Sequence, residues 1–306
     1  MIATLLTLLC TQAPLLEVSW DASTAKTGKI VVVDVATPPG IAGIRSITAH
    51  LDDRRGIALS ISADRHRWRV LVPVDIDSEL DPLPLRIDAV LVDGRTTVWR
   101  KPVAVREGDY DKRSITVGKK FLSPSRAQKS RAAKESVALS AAMRTESPER
   151  LWRGSFAKPT AGEPTSPFGT LRTYNKKRRS RHLGWDLDGN VGDAIVAAGR
   201  GRVLLATERF YSGGTVLLDH GQGLMTMYFH MSRIDVMAGR LVEKGEGLGA
   251  VGASGQVTGP HLHFSVRLGG LYVDPRQLLG LNLSDDADDD QAPSAVAVKA
   301  SPALPR

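Results

Sequence analysis

The chain has 306 residues, 42% of them hydrophobic, and a net charge of +8, which suits two globular domains with a basic surface. Its one cysteine, Cys10, excludes an intrachain disulfide and a cysteine-based zinc site, so any metal must be held by histidine and carboxylate side chains. The positive charge indicates anionic surroundings such as nucleic acid, a membrane or a cell wall, without choosing among them.

The first residues favour an export signal. Ile2 to Leu9 form a short apolar run, and Thr11-Gln12-Ala13 is similar to a small-residue cleavage site. A positively charged start is missing, and a buried N-terminal strand is the alternative interpretation. We predict a signal segment over 1–13 and a periplasmic or secreted protein. Because no apolar run reaches membrane-spanning length, we expect no integral membrane segment.

Residues 14–110 predict an immunoglobulin-like β-sandwich. Runs with alternating hydrophobicity, such as KIVVVDVAT and RWRVLVPV, are separated by turn residues, and Asp93-Gly94 is typical of a hairpin turn. Six or seven short strands at this spacing favour a sandwich. Since this part holds no cluster of ligands or nucleophiles, we expect the functional site elsewhere.

Residues 111–150 predict a helical linker. Ser123 and Pro124 suit the N-cap and first position of a helix, the run SRAQKSRAAKESVALSAAMR is rich in helix formers, and Pro148 limits it. At the other end of the chain, the acidic and Ala/Pro-rich residues 284–306 cannot bury enough apolar surface to fold, so we predict a disordered tail.

Residues 151–283 predict a second, glycine-rich antiparallel β-domain, which makes the whole chain mainly β. Five of the seven histidines lie there: His182, His220, His230, His261 and His263. In a strand, the HxH pair of His261 and His263 faces one side, and His182 and Asp186, four apart, also share a face of an extended segment. Each pattern alone is weak, since an HxH pair is more often two ordinary strand histidines. Together they favour a metal site, for which zinc with three protein ligands and one open position is the economical choice.

The second domain resembles the lysostaphin/LytM-type zinc endopeptidases of family M23, which cut peptidoglycan peptides. The resemblance rests on SPFGTLRTYN, RHLGWDLDGN, LLDHGQGLMTMYFHMS, GASGQVTGPHLHF and YVDP, in this order. It implies that His182, Asp186 and His263 bind one Zn²⁺. It also implies that His230 and His261 are the catalytic histidines, which orient or deprotonate the attacking water and stabilise the oxyanion, in a division of roles that stays open.

Three positions need separate comment. His220 matches a turn position of the family, beside Gly221 and Gly223, and we interpret it as structural. Ser265 stands where family members often carry glutamate, on the same side of the strand as the HxH pair, so the surroundings of the metal could differ. Trp185 replaces the usual small residue before the aspartate. Neither departure removes a ligand or a catalytic histidine, whereas degenerate members that only activate amidases have lost ligands.

These observations predict a zinc metalloendopeptidase of the cell envelope that hydrolyses peptide bonds in peptidoglycan stems or cross-links. The alternatives are a non-catalytic wall-binding activator of another hydrolase, and an exported protease acting on proteins. The run Lys176 to Arg179 could attract an anionic wall polymer or be a solvated loop. We expect no nucleic-acid partner because a binding motif and an aromatic platform are missing. Whether the sandwich inhibits or positions the peptidase domain stays open, as does the oligomeric state.

Overall fold

Two four-stranded antiparallel sheets pack face to face in the first part of the chain, within a computed structural model that describes residues 14–116, 123–145, 147–174 and 178–283. The predicted signal segment, the predicted tail and two residues of the basic run, Lys176 and Lys177, lie outside these residues. The strands are β1 (Glu17–Trp20), β2 (Ile30–Ala36), β3 (Ile44–Leu51), β4 (Arg54–Arg55), β5 (Ile57–Ser60), β6 (Arg67–Pro73), β7 (Leu83–Leu91) and β8 (Thr96–Val103).

The order of these strands confirms the immunoglobulin-like prediction. One sheet runs β1-β2-β6-β5 and the other β4-β3-β7-β8, which corresponds to the ABED and C′CFG sheets of that fold. Alternate residues of β2, namely Val31, Val33 and Val35, are buried between the sheets, as period-2 hydrophobicity requires. The predicted turn at Asp93-Gly94 joins β7 to β8, and Gly94 adopts a φ of 89°, which glycine reaches without strain.

The segment between the two β-rich parts contains a strand and a helix. Strand β9 (Lys112–Ile115) was not predicted, whereas helix α1 (Arg126–Ala142) was. The predicted N-cap, Ser123, is wrong, because Ser125 caps the helix in a reciprocal capping box with Gln128. Gln128 stands three residues after Ser125, the spacing this motif needs, and Ser123 has no such partner in register.

The second β-rich part is built on one large sheet with the order β10-β13-β21-β17-β16-β15-β19, and β22 pairs with β21. Two three-stranded sheets, β12-β11-β9 and β14-β20-β18, flank it. Its elements are β10 (Pro164–Ser166), β11 (Leu171–Tyr174), β12 (Arg178–Arg181), β13 (Trp185–Asp188), β14 (Ala194–Val196), β15 (Gly201–Arg209), β16 (Gly213–Gly221), β17 (Leu224–Met231), β18 (Arg233–Ile234), β19 (Leu241–Val242), β20 (Gly247–Ala250), β21 (His261–Leu268), β22 (Leu271–Val273) and helix α2 (Pro275–Gly280).

Apolar side chains cover both faces of the large sheet. One face contributes to a core that includes Trp152, Phe156 and Phe264. The C-terminal end of α1 packs on a smaller cluster, where Leu139 contacts the group that contains Met225. Helix α1 has no fully buried residue, so tertiary contact at one end and the capping box at the other hold it in place.

The sandwich is fixed to the start of helix α2, in the second β-rich part, by polar contacts. The side chain of Asp274 is 1% exposed and lies 2.6 Å from Nζ of Lys29. The amide of Gln277 makes two hydrogen bonds of 2.7 Å with the backbone of Ile30, one to N–H and one to C=O. Because a buried carboxylate is costly without its partner, this ion pair favours a single arrangement of the two parts. In the described part of the chain, no helix has both the length and the apolar character needed to cross a bilayer.

Candidate metal centre

Strand pairing brings two of the predicted ligands together. In the antiparallel pair of β13 and β21, Asp186 lies directly opposite His263, and Asp188 lies opposite His261. Side chains of directly opposed residues project from the same face of a sheet. Both histidines of the HxH motif therefore face the Asp186 carboxylate, with ring nitrogens 2.8 Å (His263 Nδ1) and 3.9 Å (His261 Nε2) from its Oδ1.

His182 lies just before β13 and is held by the SPFGT segment. Its backbone N–H donates to the carbonyl of Thr170, and its own carbonyl accepts from the N–H of Gly169. The ring Nδ1 lies 2.8 Å from the carbonyl oxygen of Pro167. Gly169 has a φ of 83°, and a Cβ there would collide with the ring of Tyr110, so glycine is required at this position.

The partners of the rings determine where their protons are. A carbonyl oxygen only accepts, so Nδ1 of His182 carries the proton that bonds Pro167, and its Nε2 presents a lone pair. The Ser265 hydroxyl donates to the carbonyl of Leu183 at 2.8 Å and therefore accepts from Nε2–H of His263 at 2.9 Å. His263 thus presents its Nδ1 lone pair. These assignments follow from the hydrogen-bond network.

Three electron-pair donors converge at one point. Nε2 of His182, Nδ1 of His263 and Oδ1 of Asp186 lie 2.8 to 2.9 Å from one another, and all three residues qualify as a possible metal group. Burial lowers the pKa of His263 to about 4, despite the opposing effect of Asp186, so this ring is neutral at pH 7. Lone pairs and a carboxylate at such distances repel without a cation between them. The donor set therefore fits one divalent metal ion bound by nitrogen and oxygen.

The second oxygen of Asp186 is paired with an arginine. Nη2 of Arg172 forms an ion pair with Oδ2 of Asp186, and the same nitrogen donates to the hydroxyl of Ser166 at 2.9 Å. The two charged side chains are only 14% and 8% exposed. Arg172 thus holds the Asp186 carboxylate in place and leaves Oδ1 turned towards the two rings.

His230 reaches the same site from β17 through a backbone irregularity. The register between β16 and β17 shifts here, and His230 has a φ of 66°, a left-handed conformation that is rare for histidine. Its Nδ1 lies 2.9 Å from the carbonyl of Ser254, so Nε2 presents a lone pair. Burial, reinforced by the nearby rings of His263 and His261, lowers its pKa to about 3. Strain of this kind clusters at functional sites.

The rings of His230 and His261 lie side by side, with centroids 4.9 Å apart. Nδ1 of His261 lies 2.9 Å from the carbonyl of Gly259, so its Nε2 also presents a lone pair, on the side of Asp186. The structure therefore gathers all five predicted site residues into one cluster. The rings of His230 and His261 lie beside the three candidate ligands, and each ring presents its Nε2 lone pair.

A cleft runs past this cluster in two halves. The wider half, of about 350 Å³, is lined by residues that include Ser166, His230, Pro260 and His261. The narrower half, of about 200 Å³, is lined by residues that include Leu183, Tyr211, Phe229 and His263. Arg172, His230 and Gln256 belong to both walls. A chain lying along the cleft would therefore pass directly over the candidate metal ligands.

His220, the remaining histidine of this domain, lies apart from the site. It is fully buried at the end of β16, with Nδ1 2.8 Å from the carbonyl of Arg200 and Nε2 2.8 Å from the hydroxyl of Thr226. Its ring packs edge-on against Phe156. The turn glycine that follows, Gly221, has a φ of 89°. This environment supports the interpretation of His220 as structural.

We expect His220 to make the protein acid-sensitive. Burial lowers its pKa from 6.5 to about 4. Above pH 6.5 the ring is neutral in the folded and the unfolded chain, and as the pH falls towards 4 only the unfolded chain takes up the proton. The free energy of unfolding should therefore drop by roughly 3 kcal/mol over this interval. Urea unfolding at pH 7.5, 5.5 and 4.5 should show a shallower decline in His220→Gln, and equal slopes would contradict the assignment.

Ser265 is expected to support metal binding through His263. In Ser265→Ala, the Nε2–H of His263 loses its acceptor in a buried site, and the ring loses the bond that fixes its tautomer. Loss of such a supporting partner typically weakens metal affinity by about 10- to 100-fold. Zinc affinity measured by chelator competition tests this. Ser155→Ala is the matched control, because its hydroxyl bonds the carbonyl of Leu281 away from the site, and an equal loss there would refute the role of Ser265.

Sequence reasoning missed two residues that shape the site. Arg172 lies four residues before the basic run, where no motif distinguishes it, and only the fold pairs it with Asp186. Phe229 stacks on His263 with an interplanar angle of 2° and a centroid distance of 5.3 Å, because the two residues are opposed on β17 and β21. Gly184, by contrast, is visible in the sequence, because it lies between His182 and Asp186 in the motif RHLGWDLDGN. A Cβ at this position would lie 2.4 Å from Nε2 of His263.

Known proteins are similar to this chain in sequence and in fold. The sequence profile of Peptidase family M23 matches residues 180–275. The peptidoglycan DD-endopeptidase ShyA of Vibrio cholerae is 37% identical over 97 residues, which cover 32% of this chain and 23% of ShyA. The cell division protein DipM of Caulobacter vibrioides is 34% identical over 116 residues, 38% of this chain and 18% of DipM. A crystal structure of a candidate M23 peptidase from Pseudomonas aeruginosa is 28% identical with a TM-score of 0.62, and the match covers 84% of this chain and 95% of that one.

Residues 180–275 thus carry the match to Peptidase family M23. The match to the Pseudomonas aeruginosa structure covers 84% of the chain, so it extends well beyond these residues and includes much of the sandwich. The chain spans less than a quarter of ShyA and less than a fifth of DipM.

Proposed function

We propose that this protein is a zinc-dependent endopeptidase that hydrolyses peptide bonds in peptidoglycan stems or cross-links. The observation that carries the proposal is the convergence of His182, Asp186 and His263, with His230 and His261 beside them on the wall of a cleft. The match of residues 180–275 to family M23 supports peptidase activity, and the similarity to the peptidoglycan DD-endopeptidase ShyA supports peptidoglycan as the substrate class.

One zinc ion would be held by Nε2 of His182, Oδ1 of Asp186 and Nδ1 of His263. Two imidazoles and a carboxylate are ligands typical of catalytic zinc, and three protein ligands leave room for water or substrate. When bound, zinc polarises a carbonyl group and lowers the pKa of a water molecule to about 7. Arg172 would orient Asp186 for this task, and Ser265 would fix the tautomer of His263.

His230 and His261 would transfer the proton that the attacking water releases. Each ring is anchored through Nδ1–H to a backbone carbonyl, so each Nε2 can accept the proton that the attacking water releases. The ring that accepts it becomes a cation with an N–H at Nε2. That N–H can stabilise the developing oxyanion or pass its proton to the nitrogen of the leaving amine.

This proposal places the protein in the cell envelope, either in the periplasm or secreted, because its substrate is located there. The two halves of the cleft suit an extended peptide that occupies both sides of the candidate ligands. The fixed contact between Lys29 and Asp274 supports a positioning role for the sandwich. None of the described residues that line either half of the cleft belongs to the sandwich strands.

The test is incubation of the full-length protein with purified sacculi, followed by mass spectrometry of the released fragments. We expect peptide-linked fragments that disappear with a chelator and return when zinc is added. A non-catalytic activator would release nothing alone but would accelerate an added cell-wall hydrolase. An exported protease would cut glycine-rich proteins in preference to sacculi. Either outcome would refute the proposal.

A further inference from the structure

The segment between the two β-rich parts contributes a strand to the wall of the cleft. Strand β9 pairs with β11 in the one parallel strand pair of the described sheets, and Arg113 is the register partner of Arg172. Neighbouring residues at the same register project from the same face. The wider half of the cleft is accordingly lined by both arginines, and Arg113 lies far from residues 180–275 in the sequence.

The two arginines differ in what they bind. Arg172 is largely buried and paired with Asp186. The side chain of Arg113 is 45% exposed. Its Nη1 donates to the carbonyl of Thr165 at 3.1 Å, and its Nη2 lies 3.5 Å from the exposed carboxylate of Asp111. A guanidinium carries five N–H donors, so these contacts orient the group and leave donors for a ligand.

The other charged side chains of this half, Arg172, Asp186 and Asp188, each have a partner within the protein. Asp186 is paired with Arg172, and Asp188, an exposed residue, accepts a hydrogen bond from the backbone N–H of Glu163. The opposite wall, from Gln256 to Pro260, carries no charged side chain. Among the described residues that line this half of the cleft, Arg113 is therefore the cation that is neither buried nor held by a buried carboxylate.

We propose that Arg113 binds a carboxylate of the substrate peptide and so determines specificity for acidic peptides. The inference rests on the proposed function and extends it, because it assigns a substrate group to one half of the cleft. An arginine fork matches a carboxylate with two parallel hydrogen bonds. Stem peptides offer such groups, and in a D-Ala–diaminopimelate cross-link a free carboxylate stands next to the amide nitrogen. Peptides in which that carboxylate is an amide would bind less well.

The experiment uses two synthetic cross-linked peptides that differ only in a carboxylate or a carboxamide beside the D-Ala–diaminopimelate bond. For the full-length protein we expect kcat/KM to favour the carboxylate peptide by about tenfold or more, as for a hydrogen bond to a charged group. In Arg113→Gln this ratio should fall towards one, and Arg113→Lys should keep part of it. Arg202→Gln is the matched control, because it removes an exposed charge on β15 and should keep the ratio.

A second readout keeps this inference separate from the proposed function. Binding of both peptides to the chelator-treated protein, measured by calorimetry, should show the same preference and the same loss in Arg113→Gln. If neither peptide is cleaved and sacculi release no fragments, but the carboxylate peptide binds more tightly through Arg113, the proposed function fails and the subsite stands. If both are cleaved and bound equally well, or if Arg113→Gln keeps the preference, the subsite is refuted and the peptidase proposal is untouched.

Discussion

Asp186→Asn should abolish high-affinity metal binding and, with it, any hydrolysis of sacculi. The substitution removes the only carboxylate of the three-ligand group and leaves two neutral imidazoles. Loss of a mere supporting residue weakens metal affinity by about 10- to 100-fold, so loss of a ligand should exceed a hundredfold. Zinc affinity measured by competition with a coloured chelator checks this directly.

The same substitution has a structural cost that must be measured beside it. Arg172 would lose the charged partner of its largely buried guanidinium, and breaking a buried ion pair typically destabilises by about 3–5 kcal/mol. Unfolding curves therefore accompany the metal titration. Asp188→Asn is the control, because Asp188 stands two residues along the same strand and bonds a backbone N–H instead. Zinc binding by Asp186→Asn at the level of this control would overturn the ligand assignment.

His230→Asn should retain the metal and lose most of its turnover. His230 lies outside the three-ligand group, so zinc affinity should stay within a few fold of the parent protein. Loss of a positioned acid–base group typically costs about 10²- to 10⁴-fold in rate. Asparagine is the suitable replacement because it tolerates the left-handed backbone at a φ of 66°, which alanine would strain.

The corresponding His261→Asn variant divides the roles of the two rings. Both rings present Nε2 to the site, so both variants should be slow. The variant that lacks the base should be the slower one on a substrate with a good leaving group, since that substrate no longer needs the proton returned to the amine. A normal rate for His230→Asn, with the metal bound, would contradict its place in the mechanism.

Local patterns predicted the elements of this protein well. Alternating hydrophobicity located most strands of both β-rich parts, and the helix between them was recognised from its composition. The error at its start, Ser123 in place of Ser125, arose because Ser-Pro is a good local start signal, whereas the reciprocal bond with Gln128 depends on the spacing. Strand β9 escaped prediction because its partner, β11, lies about sixty residues further along the chain.

The sequence by itself determined which side chains are available and how neighbours are oriented. A single cysteine left histidine and carboxylate as ligands, and the period of a strand placed His261 and His263 on one face. Only the tertiary structure decided that Asp186 stands opposite His263, that Arg172 holds the far oxygen of that carboxylate, and that Ser265 bonds Leu183. The physical reason is that these contacts depend on the register between distant strands, which no local pattern specifies.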